Sequence, residues 1–228
     1  MPVELSRRSN DFPDPDEADE SGLLAIGGDL SIDRLKSAYS KGIFPWYEDG
    51  MPILWWSPDP RMVLFPEKII VSHSLRQSIR KNQFTFSIDK AFGKVIANCS
   101  KTPRKGEKGT WITREMRNAY IRLHEEGFAH SAETWLDGKL VGGLYGVALG
   151  KVFFGESMFH HETNASKVAL YYLVENLHKW GFKIIDAQVY TNHLESLGGE
   201  LIPRRQYMQV LEEALAGTDI TGSWEDRV

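Results

Sequence analysis

The chain has 228 residues, a formal net charge of -4 and one cysteine, Cys99. Its 42% hydrophobic and 25% charged residues are typical of a soluble globular protein with one large domain or a domain plus a small appendage. The composition excludes an internal disulfide and a cysteine-based metal cluster, and no segment approaches the roughly 18 apolar residues of a membrane span. We therefore expect a cytoplasmic protein that meets any nucleic acid through a local basic patch.

Residues 1–61 predict a small N-terminal domain. Residues 11–22 are acidic and proline-rich, which is typical of a surface loop, and a short amphipathic helix follows. The run GIFPWYEDGMPILWWSPDPR then contributes Trp46, Trp55 and Trp56. These tryptophans either pack into a domain junction or stack on a ring-bearing ligand, and the pattern leaves both possibilities open.

From residue 62 to residue 228 helices and strands alternate, which predicts a second, larger domain. Asp89 is placed to cap a helix in which Cys99 falls on the apolar face, so we expect Cys99 to be core. The next loop is basic and leads directly into Trp111; its cationic residues are Lys101, Arg104, Lys105 and Lys108.

The stretch of residues 140–158, LVGGLYGVALGKVFFGESM, predicts two central strands joined by a turn at Gly150. Apolar residues run almost throughout, as expected where helices cover both faces of a sheet. Strict alternation would place Phe154, Glu156 and Met158 on one face. A carboxylate in that setting is either a satisfied core acid or part of a site.

A helix and the strand KIIDAQVY come next, and the alternation places Asp186 and Gln188 on one face, about 6.6 Å apart at ~3.3 Å per residue. Together with Glu156 on a neighbouring strand, these two side chains predict the floor of a cleft. The chain after Ala216 shows no pattern that would hold it in place.

The order of elements predicts a mixed sheet covered by helices, an α/β (α+β) fold. It resembles the acyltransferase fold of the GNAT superfamily. The turn that binds coenzyme A in that superfamily is glycine-rich, whereas the corresponding HHETNASK of this chain has no glycine. His160 and His161 are adjacent and point apart, so we predict no metal site.

Several long runs closely resemble the leucyl/phenylalanyl-tRNA–protein transferase family, in one order from Leu23 to Tyr207: GLLAIGGDL, GIFPW, ILWWSPDPR, GTWIT, FFGESMF, DAQV and SLGGELIPRR. The resemblance implies an enzyme that moves Leu or Phe, and also Met, from aminoacyl-tRNA to the N-terminal Arg or Lys of a protein. It further implies that the product is marked for N-degron proteolysis, and that the enzyme is a cytoplasmic monomer without cofactor or metal.

The resemblance also implies roles for individual residues. Glu156, Asp186 and Gln188 would carry the chemistry and recognise the acceptor, and Trp46 and Trp111 would flank the terminal adenosine. Lys101, Arg104 and Lys105 are candidates for contacts with the tRNA backbone. The pocket for the transferred side chain would be lined by Leu144, Phe153, Met158, Leu170, Leu173, Leu177 and Ile185.

The expected reaction is attack of an amine on an ester. Negative Glu156 and Asp186 would attract the cationic N-terminus, and Gln188 would orient the amine because an amide oxygen accepts hydrogen bonds but is too weak a base to take a proton. Two alternatives stay open: a coenzyme A-dependent N-acyltransferase of the GNAT type, and a non-catalytic RNA-binding module.

Overall fold

The computed structural model describes residues 2–102 and 112–227. The N-terminal part forms a small sheet, built from strands β1 (Val3–Leu5), β2 (Leu23–Gly27), β3 (Phe44–Pro45) and β4 (Leu54–Trp56). Helix α1 (Ile32–Ser40) connects β2 to β3 and buries Leu35, Ala38 and Tyr39. The strands lie in the order β1-β2-β4-β3, so β4 pairs with both β2 and β3.

The rest of the chain is organised around a seven-stranded sheet. Its strands are β5 (Arg61–Leu64), β6 (Thr85–Ile88), β7 (Ala129–Leu136), β8 (Lys139–Leu149), β9 (Val152–His160), β10 (Ile184–Gln188) and β11 (Glu200–Ile202). They lie in the order β11-β5-β10-β9-β8-β7-β6. Only β9 and β10 pair in parallel among the described strands of this sheet, and the predicted hairpin is the central β8–β9 pair.

Helices cover both faces of this sheet. They are α2 (His73–Lys81), α3 (Phe92–Cys99), α4 (Arg114–Glu125), α5 (Ala165–Lys179), α6 (Asn192–Glu195) and α7 (Arg204–Leu215). Buried residues of α1, α3, α4 and α7 share one hydrophobic cluster, here cluster A, with Phe154 and Tyr145. Buried residues of α2 and α5 share a second hydrophobic cluster, here cluster B, with Phe153 and Ile185. The predicted mixed sheet between helical layers is therefore confirmed, and Cys99 is buried in cluster A.

The predicted common face of Phe154, Glu156 and Met158 is wrong for Met158. Tyr145 pairs with Ser157 and the next residue, Gly146, pairs with Gly155, so Glu156 is an extra residue in β9. Such a bulge interrupts the period-two alternation. As a result Phe154 packs in cluster A, whereas Met158 packs against cluster B.

The predicted helix cap at Asp89 is also wrong. Helix α3 begins at Phe92, and Ala91 occupies the capping position without a side-chain hydrogen bond. Asp89 instead has a φ of 58° and lies outside the helix. Its carboxylate accepts hydrogen bonds from the backbone N–H groups of Ser131 and Trp224.

The chain after Ala216 is held in place, contrary to the prediction that it is unconstrained. Trp224 has no exposed surface, and its indole stacks on the ring of His130 at 3.5 Å between ring centroids. Burial of one large aromatic side chain fixes a segment that otherwise lacks helix or strand pattern.

We propose to keep the boundary between the two predicted domains at residue 61. The small sheet ends at Trp56, and β5 of the large sheet begins at Arg61. The two parts nevertheless share cluster A, which contains Trp55 as well as Phe154.

Candidate active site

A cavity of about 790 Å³ opens between the small sheet and one end of the large sheet, and we name it the central cavity. Its wall combines residues of the small sheet, β8–β10, the first turns of α5 and the segment around α6. This volume lies in the range of pockets that enclose small organic ligands.

The cavity exists because the parallel strands β9 and β10 separate. Their pairing ends at Asp186 and Phe154, although β9 continues to His160. Gln188 has a φ of 66° and follows an irregularity in the pairing of β10 with β5, so β10 turns away from its neighbour there. The backbone past Phe154 is thereby free to line an opening.

Glu156 lies in the wall of this cavity and is almost fully buried. Its carboxylate accepts hydrogen bonds from the hydroxyl groups of Tyr39 (2.7 Å) and Tyr120 (3.0 Å) and from the side-chain amide of Gln188 (2.9 Å). The two tyrosine hydroxyls also contact each other. Glu156 shares the face of Phe154, so its side chain points toward cluster A, where Tyr39 and Tyr120 lie.

Burial raises the pKa of Glu156 from 4.5 to about 7, and the negative charge of Asp186 contributes to the increase. The hydrogen bonds from Tyr39, Tyr120 and Gln188 act in the opposite direction, because they stabilise the carboxylate. Burial also raises the pKa of both tyrosines well above 10, so they remain hydrogen-bond donors. Glu156 therefore changes its charge near neutral pH.

Asp186 has a different environment: it is completely buried and lies outside the cavity lining. Arg61 donates two hydrogen bonds to its carboxylate, from Nε at 2.8 Å and from Nη2 at 2.7 Å, and Tyr207 donates a third at 2.8 Å. The backbone N–H of Gln188 donates to the same carboxylate at 2.9 Å. The charge of Asp186 is thus balanced inside the protein, and the carboxylate anchors the backbone turn at Gln188.

Gln188 links the two carboxylates and lines the cavity. Its backbone is bound to Asp186 and its amide nitrogen donates to Glu156. The amide oxygen remains as the acceptor that Gln188 offers to a bound molecule. A non-glycine residue with positive φ is held there against its backbone preference by these two contacts.

The apolar end of the cavity contains five of the seven residues predicted for the side-chain pocket: Leu144, Phe153, Met158, Leu170 and Ile185. Leu173 and Leu177 do not line it; they are buried in cluster B. At another part of the wall, Trp46 lies half-buried, with its ring 5.9 Å from that of Trp56.

Only the start of the basic loop falls within the described residues. Lys101 is exposed just after α3, and its neighbour Thr102 lines the cavity. Arg104, Lys105 and Trp111 lie outside the described residues. Elsewhere, the lining of the cavity includes Lys167, His160 and His193. The pKa of His193 is lowered, mainly by burial and to a smaller extent by the positive charges of Lys167 and His160.

Sequence analysis singled out none of Tyr39, Arg61, Tyr120 and Tyr207 as site residues. One signal for Arg61 existed: it directly precedes the apolar residues of a central strand, where a buried arginine requires an acidic partner. The tyrosines gave no comparable signal, because a buried tyrosine in an amphipathic helix is common.

The described residues contain no group of three or more His, Cys, Asp or Glu side chains arranged to hold a metal ion. Within the same residue ranges, no helix has the length and apolar character needed to cross a membrane.

Comparison with known proteins identifies two family matches. Residues 63–212 match the family described as leucyl/phenylalanyl-tRNA protein transferase, and residues 28–59 match its N-terminal domain. Proteins named leucyl/phenylalanyl-tRNA–protein transferase match along most of the chain. The one from Nitrosospira multiformis is 59% identical over 193 residues, covering 85% of this chain and 83% of the relative. Those from Methylococcus capsulatus and Syntrophobacter fumaroxidans are 56% identical (89% and 86% covered) and 52% identical (99% and 96% covered).

Similar solved structures are far more distant. A crystal structure of FemX is 13% identical, with a TM-score of 0.48, and covers 86% of this chain and 76% of that chain. A GCN5-related N-acetyltransferase from Kribbella flavida is 11% identical, with a TM-score of 0.38, and covers 74% and 59%.

Proposed function

The chain belongs to the leucyl/phenylalanyl-tRNA–protein transferase family, and from that membership we propose that it transfers leucine, phenylalanine or methionine from aminoacyl-tRNA to the N-terminal Arg or Lys of acceptor proteins. The family establishes an aminoacyltransferase that uses tRNA and protein substrates. We further propose that the reaction takes place in the cytoplasm, that one chain suffices for it, and that the product is an N-degron.

The observation that carries this proposal is the division of the central cavity into an apolar end and a polar wall. Leu144, Phe153 and Ile185 line the apolar end, where an aliphatic or aromatic side chain can be buried without desolvating a polar group. Glu156 and Gln188 form the polar wall beside it. An aminoacyl ester bound with its side chain at the apolar end would present its carbonyl toward Gln188.

The donor nucleotide fits the remaining wall. Trp46 offers a half-buried ring for the terminal adenosine, and we propose that Trp111 is its counterpart. Lys167 on the rim suits a polyanionic donor, and we propose that Lys101, Arg104 and Lys105 contact its phosphates. The net charge of -4 makes such local cations necessary for attraction to RNA.

The acceptor is cationic, and Glu156 is the acidic side chain among the described residues that line the cavity. Its carboxylate would attract the α-ammonium group of an N-terminal Arg or Lys when it is ionised. Asp186 contributes no comparable attraction, because Arg61 balances its charge. We therefore assign acceptor binding to Glu156 and assign to Asp186 the anchoring of Gln188.

In the reaction, the amine nitrogen bonds to the ester carbonyl carbon, and the bond from that carbon to the ribose oxygen breaks. The nitrogen loses a proton and the ribose oxygen gains one, so no cofactor is consumed. A free α-amine has a pKa of about 7.7–8.0 and must first be deprotonated. Gln188 would orient the neutral amine by accepting one N–H, and positioning would supply most of the rate.

The test is direct transfer. The purified protein receives leucyl-, phenylalanyl- or methionyl-tRNA together with reporter proteins that differ only in an N-terminal Arg, Lys or Ser. Mass spectrometry should find the added residue on the Arg and Lys reporters and not on the Ser reporter. Transfer from acetyl-coenzyme A, or tRNA binding without transfer, would contradict the proposal.

The degradation role needs a separate measurement in cells. An Arg-initiated reporter should have a shorter half-life when the protein is present than when its Gln188→Ala variant replaces it. Equal half-lives in both strains, with transfer shown in vitro, would remove the N-degron role and leave the enzymatic proposal standing.

A further inference from the structure

The C-terminal tail, residues 217–227, is anchored against the large sheet and α5 by several contacts. The backbone N–H of Trp224 donates to Asp89 at 2.8 Å, and its indole N–H donates to the carbonyl of Ile220 at 2.9 Å. The carboxylate of Asp219 accepts a hydrogen bond from the backbone of Gly150 in the β8–β9 turn.

The indole of Trp224 fills the space between the sheet and the C-terminal end of α5. One face stacks on His130 of β7, at 3.5 Å and an interplanar angle of 7°. Trp180 and Phe182 meet it edge-on, at centroid distances of 5.0 and 5.8 Å. With no exposed surface, the indole is a full member of cluster B.

The tail reaches the central cavity through Phe153. The ring of Phe153 lies 6.4 Å from that of Trp224 and also lines the apolar end of the cavity. Against the sheet, Phe153 lies directly on Gly146, where even an added Cβ atom would come within 2.6 Å of the ring. The ring is therefore enclosed by the sheet and by Trp224, and the cavity is the remaining open side.

We propose that Trp224 is a positioning residue that sets the depth of the side-chain pocket by holding Phe153 against the cavity. This inference rests on the proposed function, because it concerns which aminoacyl group the pocket accepts. The size limit of the pocket thus depends on a tail that does not itself touch the cavity.

Removal of the indole should change selectivity in a defined direction. A Trp224→Ala substitution leaves a void behind Phe153, so the ring gains room to move away from the cavity and the pocket deepens. Larger side chains should then bind better relative to smaller ones. One methylene in an apolar pocket is worth about 10- to 200-fold in discrimination, so we expect the Phe-to-Leu transfer ratio to rise by about 10-fold.

The experiment is a competition between leucyl-tRNA and phenylalanyl-tRNA in one reaction with an Arg-initiated reporter. The ratio of the two products does not depend on how much of the protein is folded, so it separates selectivity from stability. Trp224→Phe retains an aromatic ring and should fold even if Trp224→Ala does not. We expect it to shift the ratio in the same direction by a smaller factor.

Leu123→Ala serves as the matched control. Leu123 is fully buried in cluster A on α4 and does not line the cavity. This variant should lose stability and keep the wild-type ratio. An unchanged ratio in folded Trp224→Ala and Trp224→Phe would overturn the inference while wild-type transfer upholds the proposed function. Absence of transfer by the wild-type protein would overturn both.

Discussion

At the scale of single residues, two buried carboxylates in neighbouring strands serve different purposes because their partners differ. Asp186 faces a guanidinium that offers two N–H groups and a full positive charge. Glu156 has only neutral donors, two tyrosine hydroxyls and an amide. A neutral environment stabilises a carboxylate less than a paired cation does, so Glu156 is the acid that remains available to a cationic ligand.

A Glu156→Gln variant should gain stability relative to the wild type as the pH rises. The pKa of Glu156 is raised to about 7 in the folded state from 4.5, so between these pH values the folded protein binds a proton that the unfolded chain has released. The stability of the wild type therefore falls through this window, by up to about 3 kcal/mol, and Glu156→Gln lacks this decrease.

Urea denaturation of both proteins at pH 5 and pH 8 measures this effect as a change in their stability difference. Burial also raises the pKa of Glu133 to about 7, but Glu133 is present in both proteins and its contribution cancels. A stability difference that stays constant between the two pH values would show that Glu156 does not titrate there.

Replacing Asp186 by Asn should cost about 3–5 kcal/mol of unfolding free energy, because it leaves Arg61 buried without a counter-charge. Turnover should fall as well, since Gln188 loses part of its anchor. Adding Arg61→Met to Asp186→Asn should recover part of the stability. A double-mutant cycle by urea denaturation tests this: purely additive effects would mean that the two side chains do not stabilise each other.

At the scale of elements, the site depends on irregularities in two central strands. Glu156 is the extra residue of a bulge in β9, and an irregularity in β10 lies directly before Gln188, which donates to Glu156. Regular strands would have continued the parallel pair and closed the cavity. Two glycines of β8 leave space for the large rings of β9: Gly143 lies under Phe159 and Gly146 under Phe153.

Gly146→Ala should therefore be strongly destabilising. Its Cβ would lie 2.3 Å from the carbonyl oxygen of Phe154 and 2.6 Å from the ring of Phe153, both inside a packed sheet. Overpacking of this kind costs about 1–3 kcal/mol or more.

Gly93→Ala in α3 is the control, because no atom lies within 4 Å of its added Cβ. This substitution should stabilise the protein by about 0.5–1 kcal/mol. Thermal denaturation of the two variants should show melting temperatures that move in opposite directions.

At the scale of the whole molecule, the small sheet and the large sheet share one hydrophobic cluster. Tyr39 of α1 contacts Phe154 of β9, with 4.9 Å between ring centroids, and donates to Glu156. The central cavity lies between the two parts. Neither part would keep its buried surface or the site geometry alone.

Unfolding should therefore be a single cooperative transition. Tryptophan fluorescence, to which Trp46, Trp55 and Trp56 of the small sheet contribute, and far-ultraviolet circular dichroism, dominated by the helices of the large sheet, should give the same urea midpoint. A fluorescence change that precedes the disappearance of the helical signal would show that the molecule does not unfold in one transition.

Binding of tRNA should depend on local cations, because the protein as a whole is negative. Neutralising Lys101, Arg104 and Lys105 together should flatten the plot of log affinity against log salt concentration by about 0.7–0.9 for each phosphate that these residues neutralise. Neutralising Arg76, Arg80 and Lys81 of α2, outside the cavity lining, is the control and should leave the slope unchanged. Equal slopes for wild type and the first variant would remove the loop from the interface.

The sequence alone was sufficient to predict the alternating elements, the central hairpin, the family and the proximity of Glu156 and Gln188, whereas Asp186, predicted in the floor of the same cleft, lies outside the cavity lining. Each of these predictions depends on local periodicity or on contiguous motifs, that is, on residues that are close together in the sequence. The sequence also placed Leu144, Phe153, Met158, Leu170 and Ile185 in one pocket through the family resemblance, and the structure brings these five together at the cavity.

The tertiary structure decided which of the acids is available and what surrounds each one. Arg61 is 125 residues from Asp186 in sequence, and Tyr39 is 117 residues from Glu156, so no local pattern reveals either contact. The bulges were equally hidden, because one extra residue reverses the alternation without changing composition. The burial of Trp224 could not be predicted from the sequence either. Its aromatic partners come from β7, β9 and the end of α5, and these elements meet only in the folded chain.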